Sequence, residues 1–194
     1  MVLKTREKLI EVARQLFACK GVENTTMNDI ATASDKGRRT IYTYFKNKRE
    51  IYNAVIEQES EHIVSKLREI ITLKISSFEK LEKFFRLRFT MLDDTIARND
   101  SFRTIFSRDI KRVSRIQKLA SAKEIEILKT ILDEGVAKSE FILEQANRVI
   151  PLFQMLLHGM DMTLNHDNTV EKSNICDSMI ENVIGFVLVG IKRS

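Results

Sequence analysis

The chain has 194 residues, one Pro, six Gly, two Cys and no Trp, and its 32 Lys/Arg against 27 Asp/Glu give a formal net charge of +5. That length buries a sizeable core and fits one small domain plus a larger one. Cys19 and Cys176 lie far apart without CxxC spacing, which argues against a disulfide framework or a metal site and favours two free, buried or half-buried thiols, with a redox-sensing thiol as the alternative.

Helical periodicity runs nearly throughout. Lys4 to Lys20 carries Leu9, Ala13, Leu16 and Phe17 on one face and stops at Gly21, a C-cap. Thr26 precedes the next helix as its cap, with Asp29 near the positive end of the helix dipole and Met27, Ile30 and Ala31 on the apolar face. Ser34 to Gly37 is a polar break in which Asp35 tolerates left-handed backbone and Gly37 serves as a small N-cap. Arg38 to Phe45 turns Ile41 and Phe45 inward and leaves Arg39, Thr40, Thr43 and Tyr44 outward or along a groove. Asn47 followed by Glu50 resembles a capping box. A long helix follows from Lys48 to about Leu73, with Ile51, Val55, Ile63, Leu67 and Ile70 among its apolar positions.

Further helices are predicted at Phe78 to about Arg98, then, after a break at Asn99-Asp100-Ser101, at Phe102 to Leu119, Ala122 to Lys138, Glu144 to Leu164 and Glu171 to Ile191. Pro151 either kinks its helix or begins it. There is no internal repeat and no low-complexity linker. The fold class is therefore all-α, with about nine helices.

Charge is unevenly placed. Residues 1–50 hold 11 Lys/Arg and 6 Asp/Glu, a net of +5, so residues 51–194, with 21 of each, net to zero. Six cations lie between Lys36 and Arg49 with no carboxylate among them. Two short helices joined by a tight turn and carrying that charge suit a DNA backbone, because phosphate neutralisation needs Lys and Arg concentrated on one face. A second basic stretch, Arg103 to Lys123, has seven Lys/Arg and one acid, Asp109. It reads as a solvated helix face paired with acids such as Glu124, Glu126, Asp133 and Glu134.

The residues Thr26, Asp29-Ile30-Ala31, Thr40-Ile41-Tyr42, Tyr44-Phe45 and Lys48 stand at the spacing of a known pattern. With the upstream helix, they make residues 3 to about 63 resemble the DNA-binding domain of the tetracycline-repressor (TetR) family of bacterial transcription factors. The family usually has Ala-Gly-Val at the turn, whereas this chain has Ser34-Asp35-Lys36. Asp35 then occupies a left-handed position, and Lys36 snorkels from the domain core toward phosphates. The expected organisation is a three-helix helix-turn-helix domain over residues 1–50, with the motif at 26–45, and a helical ligand-binding and dimerisation domain over 51–194.

For the DNA interface, Arg38, Arg39, Thr40 and Tyr44 are expected to approach the major groove, with Arg39 the foremost candidate to read guanine. Thr26, Tyr42, Lys46 and Lys48 are expected on phosphates. The resemblance further implies a homodimer formed by the last two helices. The candidate residues are Leu152, Leu156, Gly159 and Met160 on one stripe, shared with Phe153, Leu157 and Leu164, and Met179, Val183, Phe186 and Val187 on the other. It also implies an inducer pocket in the middle helices, for which Phe85, Phe89, Phe106, Met155, His158 and Met162 are candidates. A Phe at helical spacing is more often core than ligand wall, and His158 more often a satisfied interface residue.

No HExxH, GxSxG or Gly-rich phosphate loop occurs, and His62, His158 and His166 form no convincing metal site. Catalysis, cofactors and metals are not expected. The charged N-terminus has no apolar signal core and the apolar run Val183 to Ile191 is too short to span a bilayer, so a cytoplasmic protein without a membrane partner is expected. The expected partners are an operator duplex, a second copy of the chain and a small-molecule inducer, with repression as the family's usual outcome. Two rival readings are a sequence-tolerant architectural DNA binder and a helical small-molecule-binding module that does not read an operator.

Overall fold

The computed structural model describes residues 2–97, 110–166, 181–182 and 185–186. Seven α-helices lie within them: α1 (Val2–Lys20), α2 (Met27–Ala33), α3 (Arg38–Tyr44), α4 (Lys48–Glu69), α5 (Ser77–Ala97), α6 (Ile110–Ala137) and α7 (Leu143–His166), with a 3-10 turn at Ile70–Thr72. The architecture is all-α, as expected. The predicted break between helices at 102–119 and 122–138 is absent, because α6 runs unbroken from Ile110 to Ala137. Leu119, Ala120 and Ala122 favour helix, and no Gly or Pro stands there to interrupt it. Of the helix expected at 171–191, residues 181–182 and 185–186 are helical. The rest, with Cys176 and the break at Asn99-Asp100-Ser101, lies outside the described residues. No described helix is long and apolar enough to cross a membrane.

The chain divides into two compact units, Met1–Glu61 with Thr95–Gln117, and His62–Asp94 with Lys118–Ser194. The first therefore runs past residue 50 and takes in a second segment from the middle of the chain.

In the first unit, Leu9, Ala13 and Phe17 of α1 meet Ile30 and Ala31 of α2, Ile41 of α3, and Ile51, Tyr52 and Val55 of α4. Each large aliphatic side chain or Phe among them contributes about 1.5–3 kcal/mol on leaving water. The Phe17 and Tyr52 rings meet edge-on at 6.1 Å. Gly21, at φ 81°, ends α1 by donating its N–H to the Phe17 carbonyl at 3.0 Å, as its sequence position implied. The fully buried Thr25 donates its hydroxyl to the Gly21 carbonyl at 2.7 Å, satisfying an acceptor in the same turn. Cys19, expected to be buried or half-buried, is instead a free, exposed thiol.

In the second unit, Phe84, Phe85 and Phe89 of α5 pack with Ile127, Leu128 and Ile131 of α6 and Phe153 and Leu157 of α7. Phe85 and Phe153 make an edge-on contact at 5.2 Å. Two ion pairs join α5 to α6. Lys80 Nζ lies 2.8 Å from Glu134 Oε2, and the Arg88 Nε lies 3.4 Å from Glu124 Oε2, both side chains of that pair being only 6% exposed. Glu124 and Glu134 were expected to pair with the basic stretch 103–123. The helix crossing carries Arg88 and Lys80 of α5 to them.

The α6–α7 turn is set by Ser139, which adopts φ 60°. Its N–H reaches Val136 O at 3.0 Å, and Glu140 N–H reaches Gly135 O at 2.8 Å, a Schellman arrangement. Glu140 Oε2 then accepts from the Ser77 N–H at 2.7 Å, covering donors at the start of α5. Pro151 is interior to α7, not at its first turn.

Candidate nucleic-acid interface

The helix-turn-helix is built from local signals that can be followed atom by atom. Thr26 caps α2 in a full capping box: Asp29 N–H donates to Thr26 Oγ1 at 3.1 Å, and Thr26 N–H donates to Asp29 Oδ2 at 2.9 Å. The hydrogen bonds from the Thr26 backbone and hydroxyl hold the Asp29 carboxyl below its usual range, with the Lys20 charge adding to the effect. The turn is a Schellman motif with Asp35 at φ 56°, the left-handed conformation anticipated for it. Asp35 N–H reaches Thr32 O at 3.0 Å and Lys36 N–H reaches Ala31 O at 2.9 Å. The Lys36 side chain is half-buried after this turn. Gly37 is the N-cap of α3 at φ −66°, ψ 149° and makes no side-chain cap.

Only Ile41 of α3 is buried, with Phe45 just beyond its end. These two anchors commit one side of the helix to the core and leave Arg38, Arg39, Tyr42 and Thr43 exposed. Thr40 and Tyr44 are half-buried, while Lys46 and Arg49 are exposed. The Arg38 guanidinium carbon lies 5.8 Å from the centre of the Tyr42 ring. Arg6 of α1 stands 5.4 Å over the Phe45 ring.

The start of α4 differs from the expected capping box. Asn47 Oδ1 accepts from Glu50 N–H at 3.0 Å, but the Glu50 carboxylate takes the N–H of Lys46, at 2.8 Å. Lys48, expected on a phosphate, has its ammonium 2.6 Å from the Val22 carbonyl and 3.1 Å from that of Glu23. Sequence reasoning missed this tie to the α1–α2 loop, because nothing local signals a partner 26 residues away.

The second-unit candidates separate. Phe85 and Phe89 are buried in the core, whereas Met155 is 73% exposed and His158 is exposed. On α7, Phe153 faces inward, and about 100° per residue turns Met155 away from it. Phe106 lies outside the described residues, as do the side chains of Met162 and Met160. For the dimer set, Leu152 is 56% exposed, Leu156 is half-buried and Phe186 is 81% exposed. A Cβ on the exposed Gly159 would meet nothing within 4 Å. Phe153 and Leu157, expected in the same stripe, are buried within their own chain. Met179, Val183 and Val187 lie outside the described residues. Among the described residues no cluster of His, Cys, Asp or Glu could hold a metal ion.

Residues 9–55 match the sequence model of the bacterial regulatory proteins of the tetR family. The chain is 40% identical over 86 residues to a protein from Escherichia coli K12 named as a probable acrEF/envCD operon repressor, covering 44% of this chain and 37% of that protein. It is 25% identical over 141 residues to the transcriptional repressor KstR2 of Mycolicibacterium smegmatis, covering 70% of this chain and 67% of that one. The chain thus spans little more than a third of the length of the first curated relatives it matches.

Among solved structures, a transcriptional regulator from Cytophaga hutchinsonii superposes with a TM-score of 0.83 at 24% identity, over 96% of this chain and 98% of that one. A TetR/AcrR-family regulator from Thermobifida fusca does so with 0.70 at 23%, over 97% and 98%. At these identities the likeness establishes the fold. Residues 9–55 thus carry the likeness to the tetR family of bacterial regulatory proteins, and the described residues share their all-helical fold with these solved structures.

Proposed function

We propose that the chain is a sequence-specific DNA-binding transcriptional repressor that acts as a homodimer and releases its operator on binding a small molecule. The observation that carries the reading is the exposed face of Arg38, Arg39, Tyr42, Lys46 and Arg49, fixed on a helix-turn-helix whose other side is tied down by Ile30, Ile41 and Phe45. Rigid presentation of cations supplies backbone affinity, and exposed side chains on α3 supply readout of base edges.

A single helix-turn-helix touches few base pairs, so a two-fold dimer that presents two α3 helices about one DNA turn apart, or a multiple of it, reads a near-palindrome. The apolar face of Leu152, Met155 and Gly159 on α7, with Phe186, supports pairing through the second unit, since large exposed apolar patches mark interaction surfaces. In this reading the DNA-binding role belongs to the first unit, and ligand binding and dimerisation to the second. Helix α4 begins in the first and ends in the second. A ligand with unequal affinity for two states of that helix shifts DNA affinity, and one with equal affinity shifts nothing.

The test is selection of random-sequence duplex DNA by the purified protein at near-physiological salt. Recovery of one inverted repeat is the expected result. Retention without a motif, lost as salt rises, would move the assignment to sequence-tolerant binding.

A further inference from the structure

Arg38 is the first residue of α3, and Tyr42 stands one turn later on the same face. Helical side chains lean toward the N-terminus, so the Tyr42 ring lies back over the turn that holds Arg38. The guanidinium carbon is 5.8 Å from the ring centre, and Tyr42 remains 43% exposed. That distance is within reach of a cation–π contact. A guanidinium resting on an aromatic face keeps its N–H edge outward, and that edge makes the paired hydrogen bonds to O6 and N7 of guanine.

Arg39, one position along, points about 100° further round the helix. Among the described residues it has no aromatic platform. Its carbonyl accepts from the Thr43 hydroxyl at 3.1 Å, which fixes the backbone and not its guanidinium. An unsupported Arg loses rotamer freedom when it engages a base, whereas a pre-stacked one has already lost part of it.

We propose that Arg38 is the guanine-reading residue of this protein and that Tyr42 is its positioning residue, acting through its ring and not through a phosphate contact of its hydroxyl. The inference rests on the reading of α3 as the DNA-contacting helix. It shifts the reader from Arg39 to Arg38 and gives Tyr42 a part in specificity.

The experiment measures affinity for every single-base-pair substitution in the selected half-site, at two salt concentrations, for the parent, Arg38→Lys, Arg39→Lys, Tyr42→Phe, Tyr42→Leu and the double variant Arg38→Lys/Tyr42→Leu. Thermal melts confirm folding, which substitution at these exposed positions leaves intact.

Arg38→Lys keeps the charge but loses the planar fork, so discrimination at one G·C pair falls about ten- to hundredfold with the salt slope unchanged. Tyr42→Leu lowers discrimination at that same pair and no other, Tyr42→Phe retains it, and the double variant is no worse there than Arg38→Lys. The proposal is overturned if Arg39→Lys, and not Arg38→Lys, erases the preference. It also fails if Tyr42→Phe and Tyr42→Leu weaken every duplex equally with a shallower salt slope, the signature of a phosphate contact. A parent protein that selects no duplex at all would overturn the DNA-binding reading itself, and the Arg38 assignment with it.

Discussion

Lys48 Nζ lies 2.6 Å from the carbonyl oxygen of Val22, a contact that closes a loop of 26 residues around α2 and α3. The second bond, to Glu23 O at 3.1 Å, makes this side chain a clasp between the first turn of α4 and the end of the α1–α2 loop. The strand of chain it holds leads directly to Thr26, the cap of α2. A lysine at this place therefore bears on the fold of the helix-turn-helix before it meets any phosphate.

Replacing Lys48 by Met should lower the unfolding free energy by about 1–3 kcal/mol, because two carbonyls lose a charged donor. Urea unfolding of the parent and Lys48→Met measures this. A lysine serving phosphate alone would leave the melt unchanged and alter only the salt dependence of DNA binding.

Gly135 and Phe141 should be inseparable. A Cβ at position 135 would fall 2.2 Å from the Phe141 ring, so Gly135→Ala requires the ring to move. Overpacking of this kind costs about 1–3 kcal/mol. Combining it with Phe141→Leu should cost less than the sum of the two single changes in a double-mutant cycle. In the same turn, Ser139→Gly should raise stability, since Ser139 holds φ 60° against its preference.

The two lysines on Glu134 should differ sharply. Lys80 is almost fully buried and donates to both Glu134 oxygens, at 3.0 and 2.8 Å, and to Ile71 O at 2.8 Å. Glu134 keeps some water and Lys138 when Lys80 is lost, so the cost is that of the lost charged hydrogen bonds, about 1.5–3 kcal/mol, and Lys80→Met should unfold at lower denaturant. Lys138 donates directly to the same carboxylate at 2.6 Å but is 48% exposed, where water screens the pair, and Lys138→Met should melt close to the parent.

Acid should loosen the start of α2. The Asp29 carboxyl is held below its ordinary value of 3.8 by the hydrogen bonds from Thr26. A depressed folded-state value means that the stabilisation is complete above the unfolded value and disappears as pH falls through the folded one. Amide exchange at the start of α2, in the parent and Asp29→Asn, should differ above the ordinary carboxyl value of 3.8 and converge as pH falls well below it.

The helix-turn-helix was legible because its information is short-range. Thr26 and Asp29 satisfy each other three residues apart, Asp35 accepts a left-handed turn by its chemistry, and Ile41 and Phe45 set which side of α3 is buried. The cation excess over residues 1–50 is a property of composition and needs no coordinates.

What only the tertiary structure decided depends on partners distant in the chain. Lys48 finds Val22, Lys80 finds Glu134 and Glu140 finds Ser77 through helix packing, and no local pattern encodes such pairs. The apolar stripe of α7 shows the same limit. Periodicity marks Leu152, Phe153, Met155 and Leu157 alike as apolar, and only the packing of α7 against α5 turned Phe153 and Leu157 inward and left Leu152 and Met155 facing out. Local hydrogen bonding and charge therefore determined the helix-turn-helix and its cationic face, while burial, a property of how helices meet, decided which side chains remain available to act.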